Sequence, residues 1–146
     1  MVRICTTTSM FKNARLYDKV SKRMIYPQEG TRMGIFLGLD GCPIQYKDGT
    51  RFVKLQDVVV MYETGWLDIK GTPLFEGDVV QCSLQLDMEG ILSYVQTRGV
   101  VQWEATKGHY FVHLPQSALV NGNDMPISNV QKLGDIYQNQ NLTKQL

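Results

Sequence analysis

Glu76-Gly77-Asp78 places two carboxylates on either side of one glycine. That spacing can hold a divalent cation or divide a proton between an acid and a base. The neighbours argue for a self-bonded turn instead. Gly77 lets the backbone turn sharply, Asp78 can accept local N–H groups, and Val79-Val80 then enters the core. Glu63 and Asp68 are the nearest further acids, and no histidine or third carboxylate has a forced geometry beside them. His109 and His113 form the second pair. On a helix their spacing would suit a metal. Gly108 and the run Tyr110-Phe111-Val112 favour a strand, where the two share a face but lie about 13 Å apart. Cys5, Cys42 and Cys82 are odd in number and widely spaced, with no Cys-x-x-Cys, so neither a zinc pattern nor a disulfide framework is expected. No Gly-x-Ser-x-Gly elbow and no phosphate-binding loop occurs. The expectation is a protein that is not an enzyme, with no catalytic residue, no cofactor and no metal ligand.

Lys12, Arg15, Lys19, Lys22 and Arg23 are interleaved with Phe11, Tyr17 and Tyr26. Cations among aromatics suit phosphate contact with base stacking, so these five are the candidate nucleic-acid contacts. Asp18 and Glu29 dilute the patch, which favours a solvated hairpin with its aromatics in the core. Overall charge lends nucleic acid no support: Lys and Arg number 15, Asp and Glu 14, for a net +1. No long apolar stretch follows Arg3, so no signal peptide is read, and no run approaches the roughly 20 residues a membrane helix needs. A soluble protein of the cell interior is expected.

Short β-favouring runs must position these residues. Ala14–Asp18 and Met24–Tyr26 read as a hairpin ended by Pro27. Gly34–Leu39, Phe52–Leu55 and Val58–Tyr62 read as strands, with turns at Asp40-Gly41 and Asp48-Gly49. Lys70–Pro73 is a turn, and Val79–Leu84 a strand. Asp87–Gly90 reads as a loop. Thr97–Trp103 and Tyr110–Leu114 form a hairpin across Glu104–Gly108. Residues 115–129 read as a long loop with room for a helical turn at Gln116–Val120. Val130–Tyr137 is the last strand, with a bulge at Gly134.

Several of these blocks, in order, resemble the YopX family, small proteins found mostly in phages and prophages. Met61–Val80 is similar to the family's central stretch without a gap. Thr64, Gly65, Asp68, Gly71, Glu76, Gly77 and Asp78 stand unchanged there, while Trp66 replaces the usual leucine. Ala14–Asp18 with Met24–Tyr26 resembles the opening block, with Tyr17 in place of tryptophan. Gly99–Trp103 and Leu133–Asn139, the latter carrying Gly134, resemble two later ones. Residues 30–56 match poorly. The resemblance implies a mainly β fold and no defined catalytic residue.

The expected architecture is mainly β with little helix: a small twisted barrel or sandwich of short strands with an N-terminal hairpin. Residues 1–10 are expected as a flexible arm and 11–137 as one domain. Within it lie a hairpin at 14–26, an insert at 30–56 and a barrel core at 58–137, followed by a polar tail at 138–146. Trp66, Trp103, Phe75, Phe111, Ile136 and Tyr137 are the expected apolar anchors. Open strand edges predict a homo-oligomer. The resemblance and the absent catalytic motifs favour a phage-encoded protein-binding or assembly module in the bacterial cytoplasm, acting on a host or phage protein. A nucleic-acid-binding accessory protein is the alternative.

Overall fold

The computed structural model describes residues 13–38, 40–47, 51–115 and 127–143. The expected arm, the Asp48-Gly49 turn and the helical turn at Gln116–Val120 lie outside them. The protein is mainly β, as expected, with a curled half-barrel sheet and additional sheets. The chain divides into two compact units, Met1–Glu63 and Thr64–Leu146.

In the first unit, β1 (Ala14–Asp18) and β2 (Arg23–Ile25) form the expected hairpin, with Leu16 opposite Ile25. Asp18 steers the turn by accepting the Val20 N–H at 2.9 Å. The other edge of β1 pairs with the first half of β6 (Val58–Leu67), Leu16 facing Val60. Pro27 ends the hairpin and also opens a short helix, α1 (Pro27–Arg32), because its fixed φ and missing N–H suit the first helical position. Residues 30–56 then hold an antiparallel meander of β3 (Ile35–Leu37), β4 (Pro43–Lys47) and β5 (Arg51–Lys54). Neither α1 nor β4 was expected. Ala14, Leu16, Ile25, Ile35 and Leu37 form the core of this unit, with Leu55 and Val60 packed against it.

In the second unit, β7 (Pro73–Phe75) lies beside β6 in the strand order. β8 (Asp78–Met88), β9 (Ile91–Glu104), β10 (His109–His113) and β11 (Ile127–Asp135) form an antiparallel sheet ordered β10-β9-β8-β11. The β9–β10 hairpin is the expected one, Trp103 facing Tyr110. The Asp87–Gly90 loop is corrected. β8 runs on to Met88 and pairs with Ile91 across a two-residue turn, both of whose residues have positive φ, Glu89 at 55° and Gly90 at 84°. Such a turn matches the twist of the flanking strands, but glutamate is an unusual residue in it, so the hairpin was poorly signalled. β11 starts three residues earlier than expected and shifts register between Lys132 and Gly134, at the expected bulge. A 3-10 helix (Gln140–Thr143) occupies part of the expected polar tail.

The core of this unit differs from the expected anchors. Leu74, Val80 and Val101 form one cluster and Cys82, Leu84 and Leu114 another, with Val112 and Val130 packed against both. Phe75 is buried, but Trp66 and Trp103 are 40% and 49% exposed. Hydrophobicity alone put them inside. Both stand where the strand is exposed on either side, with Leu67 beside Trp66 and Gln102 beside Trp103 exposed too, so their large rings remain half-wet.

Candidate functional site

The motif residues of the second unit lie in β6, in the turns on either side of β7 and at the end of β11, and the aspartates among them are engaged by backbone N–H groups. Gly65 sits inside β6 with φ of 87°, a conformation costly for any residue with a Cβ. Beside it, the Thr64 hydroxyl donates to the Leu74 carbonyl at 2.9 Å and accepts the Trp66 N–H at 3.0 Å. Further on, Asp68 Oδ1 accepts the N–H groups of Lys70 and Thr72, each at 2.9 Å. Its Oδ2 accepts the Lys132 N–H at 3.0 Å, tying the Gly71 loop to β11. In the Glu76-Gly77-Asp78 turn, Asp78 is fully buried. Its Oδ2 accepts the Phe75 N–H at 2.8 Å, and Lys132 Nζ stands 3.3 Å from Oδ1. Gly77 donates to the Val101 carbonyl and accepts the Ile136 N–H, both at 2.9 Å. Asp135 Oδ1 caps the N–H groups of Tyr137 and Gln138. Gly134 leaves the space that Asn139 fills, since a Cβ there would meet the Asn139 side chain.

The Lys132 N–H is the chief cause, with those of Thr72 and Lys70, that holds the Asp68 carboxyl below its ordinary value of 3.8 against the opposing effect of burial. A carboxyl whose folded value is depressed contributes stability above its unfolded value and loses it as pH falls through the folded one. Urea midpoints should therefore drop as the pH falls below about 4. Asp68→Asn should cost ~1–3 kcal/mol at neutral pH, because its amide group meets an N–H it cannot accept, and should flatten that acid limb. An acid limb as steep in the variant as in the parent would show that Asp68 does not carry it.

Above this framework lies an apolar recess of about 480 Å³ lined by Trp66, Leu67, Leu74, Phe111, Val112, Ile127 and Val130. Its floor is the outer side of the two core clusters, which share Val112 and Val130 with it. Tyr110 stacks edge-on with Trp66 at 6.2 Å and with Trp103 at 4.8 Å between ring centres. The Tyr110 hydroxyl donates to Glu76 Oε1 at 3.3 Å. Glu76 and Asp78 thus do different jobs: one orients an aromatic ring and the other closes a turn. None of the recess residues was singled out as a binding group, although Trp66 in place of the family's leucine was a visible signal.

The other candidates are scattered. His109 and His113 are exposed at the two ends of β10. Cys82 is buried, which pushes its thiol up, and Cys42 is exposed; Cys5 lies outside the described residues. Among the described residues, no group of three or more His, Cys, Asp or Glu is placed to hold a metal ion. Nor, among them, is any helix long and apolar enough to cross a membrane. Of the basic candidates, Lys19 and Lys22 are exposed at the β1–β2 turn. Arg23 pairs with Glu29. Lys12 lies outside the described residues. Arg15 is corrected as a phosphate contact: it is fully buried, its Nη2 3.6 Å from Met61 Sδ and its guanidinium 5.9 Å from the centre of the Tyr26 ring. Ala14, Arg15, Leu16 and Tyr17 are all buried, so β1 is covered on both faces and alternation gives Arg15 no exposed side.

These features define a small, mainly β protein whose motif aspartates hold loops and whose half-exposed Trp66 lines an apolar recess. The chain belongs to the YopX protein family, whose model matches residues 14–144. Protein EF1440 from Enterococcus faecalis is similar in structure, with a TM-score of 0.52 at 18% identity, over 90% of this chain and 97% of that one. At that identity the likeness is one of fold. No curated protein matches.

Proposed function

We propose that this is a phage- or prophage-encoded protein-binding module that acts without catalysis, capturing an apolar or aromatic side chain of a host or phage protein in the bacterial cytoplasm. One observation carries the reading: half-exposed Trp66 lines a recess otherwise walled by aliphatic side chains and Phe111, and Tyr110 links its ring to half-exposed Trp103. Tryptophan and tyrosine are the residue types that anchor protein interfaces, because each buries a large area at a small entropy cost. Family membership supports the phage setting. The engagement of Asp68, Asp78 and Asp135 with backbone N–H groups supports a structural use of the motif acids. The nucleic-acid alternative is weakened by the burial of Arg15 and Tyr17.

The test is affinity capture from phage-carrying host lysate, with and without nuclease, using the wild-type chain and Trp66→Ala. A partner retained after nuclease and lost with Trp66→Ala is expected. Measured on that partner, the truncation should weaken binding by ~2 kcal/mol, and the tryptophan fluorescence of the wild type should change on binding. Nucleic acid retained by both chains, with partners lost on nuclease treatment, would overturn the reading in favour of the alternative.

A further inference from the structure

The long β8–β9 hairpin has an edge that nothing described covers. β10 pairs with β9 only over Val100–Glu104, and β11 pairs with β8 only as far as Leu84. Beyond those limits β8 and β9 continue as a two-stranded ribbon to Met88 and Ile91. Every residue from 91 to 96 is exposed, Ile91 at 71% and Tyr94 at 61%. An isolated ribbon of this kind is marginal in water.

The direction of the unused backbone groups follows from the turn. In a two-residue hairpin the flanking residues, here Met88 and Ile91, exchange both hydrogen bonds, and the pattern then alternates along the strands. Ile91, Ser93, Val95 and Thr97 therefore direct their N–H and C=O groups to β8. Leu92, Tyr94 and Gln96 direct theirs to the open edge. The same parity holds further along β9. The Val101 carbonyl accepts Gly77 N–H on the β8 side, and the Glu104 carbonyl accepts Gly108 N–H on the β10 side.

Natural sheets blunt their edges with charges, prolines, bulges or short strands. The other edges of this sheet do so. β11 has two register shifts and Lys132, β10 is five residues long, and β8 beyond Leu84 carries Asp87. Ile91-Leu92-Ser93-Tyr94-Val95-Gln96-Thr97 has no charge, no proline, no glycine and no bulge. A run of such residues is one that pairs with another strand.

We propose that residues 91–97 of β9 form a self-association edge, paired antiparallel with the same residues of a second copy about a two-fold axis. An antiparallel edge is its own complement under that symmetry, so one surface supplies both halves of the contact. The absence of charge fits another uncharged edge and gives an acidic or basic partner nothing to read. Centring the axis on Tyr94 sets Tyr94 opposite Tyr94 and Leu92 opposite Gln96. It matches all three outward-facing residues of each copy, and β9 of each copy then ends with no open edge over this stretch. The inference does not rest on the recess, which is made by other residues.

The test is the solution mass of the full chain at micromolar concentration by sedimentation equilibrium, for wild type, Tyr94→Pro and Tyr94→Lys. Proline at Tyr94 removes an N–H that faces the open edge, so β8 loses no bond. Lysine supplies the charge that natural edges use, should proline disturb the strand. The wild type should have twice the mass of one chain. Either substitution, with unchanged circular dichroism, should raise the dissociation constant at least about tenfold, or about 1.4 kcal/mol. In a chain also carrying Cys5→Ser and Cys42→Ser, Tyr94→Cys should give a disulfide-linked dimer on mild oxidation, because facing residues at the axis have Cα atoms about 5.5 Å apart. A wild type of single-chain mass would overturn the proposal. So would an oligomer whose mass neither substitution lowers. Trp66→Ala should leave the mass unchanged, which separates this edge from the recess.

Discussion

Replacing Asp78 with alanine should lower stability by ~3 kcal/mol, seen as a reduced urea midpoint. Two losses add. The Phe75 N–H loses an acceptor at 2.8 Å inside a buried turn, and the Lys132 ammonium loses the carboxylate 3.3 Å away. The Lys132 side chain is 17% exposed, so desolvation is incomplete and the cost sits at the low end of the range for broken buried ion pairs. Asp78→Asn keeps one carbonyl oxygen for the Phe75 N–H and gives up the charge, so it should cost less than alanine. A double-mutant cycle between Asp78→Asn and Lys132→Met separates the two effects. Coupling above ~1 kcal/mol would assign the stability to the ion pair. Coupling near zero, with alanine still severe, would assign it to the cap on Phe75. Because the turn also donates from Gly77 to Val101 and accepts Ile136 through Gly77, its loss should be felt along β9 and the chain after β11.

Gly99→Ala is expected to be the most damaging single-methyl change in the second unit, at ~1–3 kcal/mol. A Cβ at this position would meet Val112 Cγ1, lie 2.8 Å from the His113 carbonyl oxygen and 3.1 Å from Leu114 Cδ2. The carbonyl belongs to the backbone leaving β10, so it cannot rotate away as the end of a side chain could. Relief requires β10 to move off β9, which would separate Val112 and Leu114 from the clusters they help to close. Gly134→Ala is the control. Its neighbour is the Asn139 side chain, which can swing aside at the expense of the 3.2 Å bond it accepts from the Asp135 N–H. The Gly134 substitution should therefore cost less. Equal urea midpoints for the two variants would contradict the assignment of the close approach at Gly99.

Local chemistry was readable where a residue's role depends on its immediate neighbours. Gly71 and the Glu76-Gly77-Asp78 segment marked turns because glycine reaches positive φ and aspartate bonds N–H groups a few residues away. The β1–β2 and β9–β10 hairpins were readable because alternation sits on both sides of short polar connections. The meander in residues 30–56 was only partly legible. Pro43-Ile44-Gln45-Tyr46-Lys47 opens on a proline, which speaks against a strand until it proves to be the first residue of one.

By itself the sequence determined the fold class, the family and the turn chemistry, since each depends on composition, order and contacts between near neighbours. Tertiary structure decided which side of each strand faces the core. It covered both faces of β1, which buries Arg15 between Ala14 and Leu16, and it left Trp66 and Trp103 half-exposed in stretches whose neighbours are exposed too. Tertiary structure also decided the recess and the Lys132 contacts with Asp68 and Asp78. Residues more than fifty positions apart meet there, and no spacing along the chain encodes such a meeting.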